Sequence, residues 1–195
     1  MKFKNMREYT HEEFVNLVLS LSGEQLLELS ANYGGYPVLF RMSLDERISH
    51  IPFIQTGASI LVINENGEIL LQQRSDNGRW GLPGGCQDLG ENLRTTAKRE
   101  LYEETGIKVS EDDLILIDTL SGEKRKRTYP NGDIVYNNSS LYLVKINSSE
   151  INIKMDAESI KLEFFDINDL PESMHDGDMV EEYIKYTKKN THELS

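Results

Sequence analysis

Residues 85–107 are spaced as Gly85, five residues, Glu91, seven residues, Arg99-Glu100-Leu101, one residue, Glu103-Glu104, one residue, Gly106-Ile107. On a helix of 3.6 residues per turn, Glu100, Glu103 and Glu104 fall within one arc of about 100°. Most acidic helix stripes are solvated faces. Two features argue otherwise here. The acids occupy the last turn, where the helix dipole already places negative charge and each carboxylate costs roughly 0.3–1 kcal/mol. Acids this close also raise one another's pKa unless a cation sits among them. A local rule broken at clustered positions marks function. Hard oxygen ligands favour Mg²⁺ or Mn²⁺, and the chemistry such a bound cation supports is Lewis-acid activation of water.

A helix carrying these acids has to be started, stopped and seated. Asn92 can cap its start and Gly106 can close its end. Ala97 and Leu101, spaced i and i+4, can seat a neighbouring face on a sheet. The glycine-rich run Trp80-Gly81-Leu82-Pro83-Gly84-Gly85 leads into it. Upstream, two β-rich apolar runs at 58–63 and 69–72 flank Asn66-Gly67, a tight-turn signal, and predict a hairpin. Further strands are expected at 114–120, 141–146 and 160–165, with a turn at 129–133 and a last helix near 179–188. Strands bracketing one helix, with another at the end, predict an α+β fold with a mixed β-sheet covered on both faces.

The first 50 residues read differently. Thr10-His11-Glu12-Glu13 and Ser22-Gly23-Glu24-Gln25 both have capping-box spacing, the first ahead of Phe14, Leu17 and Val18, the second ahead of Leu26 and Leu27. Turn chemistry follows at 32–37, and 38–42 is expected to be a short strand. The expected organisation is an N-terminal helical extension at 1–50, a core domain at 51–172, and a C-terminal helix and tail at 173–195. Paired amphipathic helices need an apolar partner, either the core or a second copy, so a homodimer is one expectation.

Composition bounds the partners. The chain carries 33 acidic against 21 basic side chains, a net charge of −12, so its average field repels polyanions and broad nucleic-acid binding is not expected. A bound divalent cation can still reverse the local sign for a small anionic substrate. A single cysteine, Cys86, allows no intrachain disulfide, which points to a reducing cytoplasm. No apolar run approaches the roughly 20 residues of a membrane span.

Residues 85–107 resemble the Nudix box of MutT-like hydrolases, G-x5-E-x7-R-E-U-x-E-E-x-G-U with U aliphatic, at every specified position. From average residue usage, a chance match has a probability on the order of 10⁻⁷. The resemblance covers about residues 54–172 and implies an α/β/α sandwich. It also implies that Glu100, Glu103 and Glu104 ligate Mg²⁺ or Mn²⁺ with the carbonyl of Gly84 or Gly85, and that Glu100 is the base within the box. Arg99 and Glu91 would form an orienting ion pair. The implied substrate is a nucleoside diphosphate linked to another moiety, such as a nucleotide or a sugar, cleaved at the diphosphate. The alternative is a nucleotide-sensing module of the same fold that binds without cutting; an intact box favours catalysis.

Outside the box, Asp156 and Glu158 resemble acids that some relatives use as an extra ligand or base, against ordinary turn acids. Arg74 ends the second strand where relatives often hold substrate phosphate, against an exposed strand end. Trp80 is read as packing rather than base stacking. The run Lys124-Arg125-Lys126-Arg127 is read as a solvated loop more readily than as a phosphate clamp. Cys86 has no assigned role. Marks that some subgroups carry just past the box, a proline for ADP-ribose or a tyrosine for diadenosine polyphosphates, are missing from 120–125.

Overall fold

In the computed structural model, Phe53–Ile63 forms the central strand β1, and every residue from Gly57 to Ile63 is buried. A near-continuous apolar run is what a strand covered on both faces requires. The structure describes residues 10–22, 25, 52–128, 133–151, 153–155, 158–175 and 177–192. Strand β2 (Ile69–Arg74) returns antiparallel to β1 through the predicted turn. Gly67 takes φ +81° there, and the Asn64 side-chain oxygen accepts from the Asn66 and Glu68 N–H groups at 3.0 and 2.9 Å.

Trp80–Gly81 (β3) pairs with β2, and Gly84–Cys86 (β4) pairs antiparallel with β1. Beyond the helix α2 (Leu93–Thr105) come β5 (Ile115–Leu120), β6 (Lys126–Thr128) and β7 (Ile134–Lys145), then β8 (Ser159–Phe165), which pairs with β2. Strands β1 and β7 run parallel from Phe53↔Val135 to Ile63↔Lys145, inside the order β3-β2-β1-β7-β5. The sheet is therefore mixed, as expected. Strand β7 begins seven residues earlier than the predicted 141. Its polar stretch Asn137-Asn138-Ser139-Ser140 lacks apolar alternation, yet it lies in register with residues 55–58 of β1.

Period-2 alternation divides the core. Ala58, Ile60, Val62, Tyr142 and Val144 pack with Ala97 and Leu101 of α2. Leu61, Ile63, Leu141 and Leu143 pack with Met179 and Val180 of the last helix, α3 (Gly177–His192). One sheet between two helices results. The final helix, set apart from the core in the sequence reading at 173–195, thus contributes to the same apolar cluster as β1.

At the N-terminal end, α1 (His11–Ser20) starts with the predicted box: the Thr10 N–H donates to Glu13 Oε2 at 2.8 Å and the Glu13 N–H to Thr10 Oγ1 at 3.2 Å. Ser22 and Gln25 make the matching reciprocal bonds at 2.9 and 3.3 Å. The rest of the expected second helix, the strand at 38–42 and most of the turn at 129–133 lie outside the described residues. No helix among the described residues is long and apolar enough to cross a membrane.

Candidate active site

The site is built where β4 is pressed against both β1 and α2. A Cβ on Gly84, whose φ is +151°, would lie 2.3 Å from the Ala58 carbonyl oxygen, and one on Gly85 would lie 2.5 Å from Glu100 Oε1. Only glycine lets the strand approach this closely. Helix α2 is fixed at both ends as predicted. The Asn92 side chain accepts from the Arg94 and Thr95 N–H groups, and Gly106, at φ 73°, donates its N–H to the Tyr102 carbonyl.

Arg99 is the hub. Its Nε and Nη2 grip the two Glu91 oxygens at 2.8 and 3.0 Å, a bidentate pair. Nη2 also donates to the Cys86 carbonyl of β4 at 2.9 Å, and Nη1 to Glu100 Oε1 and Glu103 Oε2 at 2.8 and 3.1 Å. The Arg99 guanidinium holds the Glu91 carboxyl down at about 2. Thr96, fully buried, donates its hydroxyl to Glu91 Oε2 at 2.9 Å. Sequence reasoning missed Thr96, because it stands at an unspecified box position. The available signal was a hydroxyl beside Ala97 on the seated face of the helix.

The three helix acids share a stripe but sit at different depths. Glu104 is 4% exposed and accepts the Gly84 N–H at 2.8 Å. The Glu100 side chain is 14% exposed, whereas that of Glu103 is 55% exposed. Burial is the main cause that raises the Glu100 carboxyl to about 7; Arg99 opposes the rise, and Glu103 and Glu158 add to it. Among the described residues, no three or more Asp, Glu, His or Cys side chains already form a group that could hold a metal ion. The bonds just described give the reason: Glu104 turns to the Gly84 N–H, while Glu100 and Glu103 turn to Arg99.

The remaining candidates fall into two groups. Glu158 stands close enough to influence Glu100, and its carbonyl accepts the Ser75 N–H at 2.8 Å, which brings the end of β2 beside it. The register shifts at this point, Gln73 facing Lys161 and Arg74 facing Ser159, so that Ile160 is the extra residue, on β8. Arg74 itself bonds Asp76 through Nε and Nη2, at 3.0 and 3.1 Å. Asp156 lies outside the described residues.

Away from these, Trp80 packs edge-on against Phe165, with ring centroids 4.8 Å apart. Burial pushes the Cys86 thiol up to about 11, so it stays protonated at neutral pH. The basic run departs from the solvated-loop expectation at one residue. Arg125 is buried and bonds both Asp178 oxygens at 2.9 and 3.0 Å, tying the turn before β6 to α3.

The fold and the carboxylate stripe can be set beside known proteins. The NUDIX domain model matches residues 54–186. A MutT-like protein of Streptomyces ambofaciens is 39% identical over 77 residues, covering 40% of this chain and 50% of the relative. An ADP-ribose pyrophosphatase of Methanocaldococcus jannaschii is 30% identical over 131 residues, 64% of this chain and 70% of the relative. The crystal structure of a MutT protein from Methanosarcina mazei Go1 superposes with a TM-score of 0.56 at 22% identity, covering 70% of this chain and 95% of that one. The chain belongs to the NUDIX domain family. Its match spans half the length of the Streptomyces relative.

Proposed function

We propose that this chain is a divalent-cation-dependent hydrolase that cleaves the diphosphate link of a nucleoside diphosphate joined to another moiety, by attack of water at phosphorus. The observation that carries the reading is the surplus of carboxylate around Arg99, with Glu100 half-buried in the middle of it. Two relatives, a MutT-like protein and an ADP-ribose pyrophosphatase, support the same class.

The donor set suits a hard cation. Glu100, Glu103 and Glu104 offer carboxylate oxygens, the Gly84 carbonyl and Glu158 are further candidate ligands, and Gly85 leaves clear the space that a Cβ would fill beside Glu100. Bound Mg²⁺ or Mn²⁺ would supply charge neutralisation at the diphosphate and a lower pKa for water. Glu100 is the proposed base: its side chain, 14% exposed against 55% for Glu103, is the more shielded of the two helix acids that Arg99 holds. Arg99, held by Glu91, positions β4 against α2 through the Cys86 carbonyl. Arg74 is proposed as a phosphate contact and Gly85 as the backbone along which the substrate lies. A cytoplasmic location and a packing role for residues 1–50, on the core or on a second copy, belong to the same reading.

A panel of nucleotides, nucleotide sugars and dinucleotides tests it. The expected result is turnover with Mg²⁺ or Mn²⁺ and none in excess chelator; undiminished turnover in chelator would falsify the metal-dependent mechanism. Tight binding without turnover of any member would make the chain a nucleotide-sensing module instead.

A further inference from the structure

Past the last turn of α2 the surface opens a groove of about 530 Å³, lined by Tyr102, Glu103, Lys108, Ile151, Lys154 and Met155. Its far wall is fastened to the helix, because the Lys154 N–H donates to the Thr105 carbonyl at 2.8 Å. On the near wall, the Lys108 ammonium lies 5.3 Å from the centroid of the Tyr102 ring, within cation–π range. A second groove of about 500 Å³ shares Tyr102 and Lys108 and adds Lys98.

Lys108 thus lies over the Tyr102 ring, and Lys154 and Lys98 line the two grooves that share it, in a chain of net charge −12. Among the described residues none of the three is held in an ion pair with a carboxylate. An acidic protein has carboxylates to spare, so a cluster of cations left to solvent beside Glu103 is a local reversal of sign. Lysine ammonium groups act as mobile point charges that suit phosphate.

We propose that this groove is an anion subsite for the substrate, receiving phosphates beyond the diphosphate held at the carboxylates. The inference rests on the diphosphate-hydrolase reading and narrows it. The favoured substrates carry a phosphate chain longer than two, as nucleoside or dinucleoside polyphosphates do, in preference to nucleotides that end in a neutral sugar. Glu103 borders both the groove and the carboxylate stripe, so a chain leaving the site on that side meets Lys108 and Lys154 next.

The test is the full-length Lys108→Ala/Lys154→Ala variant, assayed with Mg²⁺ on diadenosine tetraphosphate and on ADP-ribose. With two exposed charges lost, KM for the tetraphosphate should rise roughly fivefold or more with kcat held, while ADP-ribose kinetics stay within about twofold. Equal effects on both substrates, or none, overturn the proposal. A second arm does not depend on turnover: calorimetry with inorganic tripolyphosphate in chelator should give binding that weakens in the double variant and with added salt. Identical titrations of the two proteins, or no binding to either, overturn it as well. Lysine-dependent tripolyphosphate binding by a chain that hydrolyses nothing would instead count against the hydrolase reading and leave the anion site standing.

Discussion

Two arginines are drawn into this chain, at helices that cover opposite faces of the sheet, and they are answered differently. The Arg125 side chain, 5% exposed, meets Asp178 in the first turn of α3, where a carboxylate also suits the helix dipole. The Arg99 side chain, 24% exposed, meets Glu91, Glu100 and Glu103, with Asp88 at 3.7 Å. At Asp178 the contact fastens a turn to a helix. Around Arg99 one cation faces several carboxylates, and Glu100, mostly withdrawn from solvent, is pushed toward neutrality. A structural ion pair minimises uncompensated charge, whereas a binding site keeps charge in hand for its ligand.

Substitutions in the carboxylates around Arg99 should have the greatest consequences. Glu103→Gln and Glu104→Gln should each lower kcat with saturating Mg²⁺ by a hundredfold or more, about 2.7 kcal/mol in activation free energy. Arg99→Ala should cost less, because its proposed role is positional. Near-parental rates for both glutamine variants would reduce the stripe to a solvated acidic face.

Asp178→Ala probes the other arginine. Losing the charged hydrogen bonds between Arg125 and Asp178 should cost about 1.5–3 kcal/mol in urea unfolding, while activity per folded molecule stays near the parent's. A small stability change with lost activity would reverse the roles assigned to the two arginines.

Glu91→Gln should lower stability at pH 7 by roughly 1–3 kcal/mol. Its folded pKa is depressed, from 4.5 to about 2. The contribution is therefore fully present above about pH 4.5 and is lost as pH falls toward 2. The gap between parent and variant should close over that window in denaturant titrations. A gap that stays constant would mean that hydrogen-bond geometry, and not charge, holds Glu91 to Arg99.

The smallest effects sharpen the comparison. In chelator, Glu104→Gln should cost about 1 kcal/mol, because the charged acceptor of the Gly84 N–H becomes neutral. Glu103→Gln, more than half exposed and sitting amid surplus negative charge, should stay within about 0.5 kcal/mol of the parent. Thermal melts in chelator separate the two. A large loss in Glu103→Gln would identify this glutamate as a structural partner of Arg99.

Features that repeat over a few residues were legible along the chain. Helix periodicity placed Glu100, Glu103 and Glu104 on one stripe, local capping chemistry located both ends of α2 at Asn92 and Gly106, and Asn66-Gly67 located the β1–β2 turn. Strands β3, β4 and β6, two or three residues each, were too short to carry a period. The stretch Asn137 to Ser140 of β7 is too polar to show one; its residues are strand because β1 offers a parallel partner alongside them. Depth was also a tertiary decision. Nothing in the spacing distinguished Glu104, buried against Gly84, from Glu103 in solvent, or buried Arg125 within a run of basic residues. Backbone geometry is local, so spacing can reveal a shared face. Burial and charge pairing depend on segments far apart in the chain, and here it is the contact of β4 with α2 that sets which carboxylate is buried and which stays exposed.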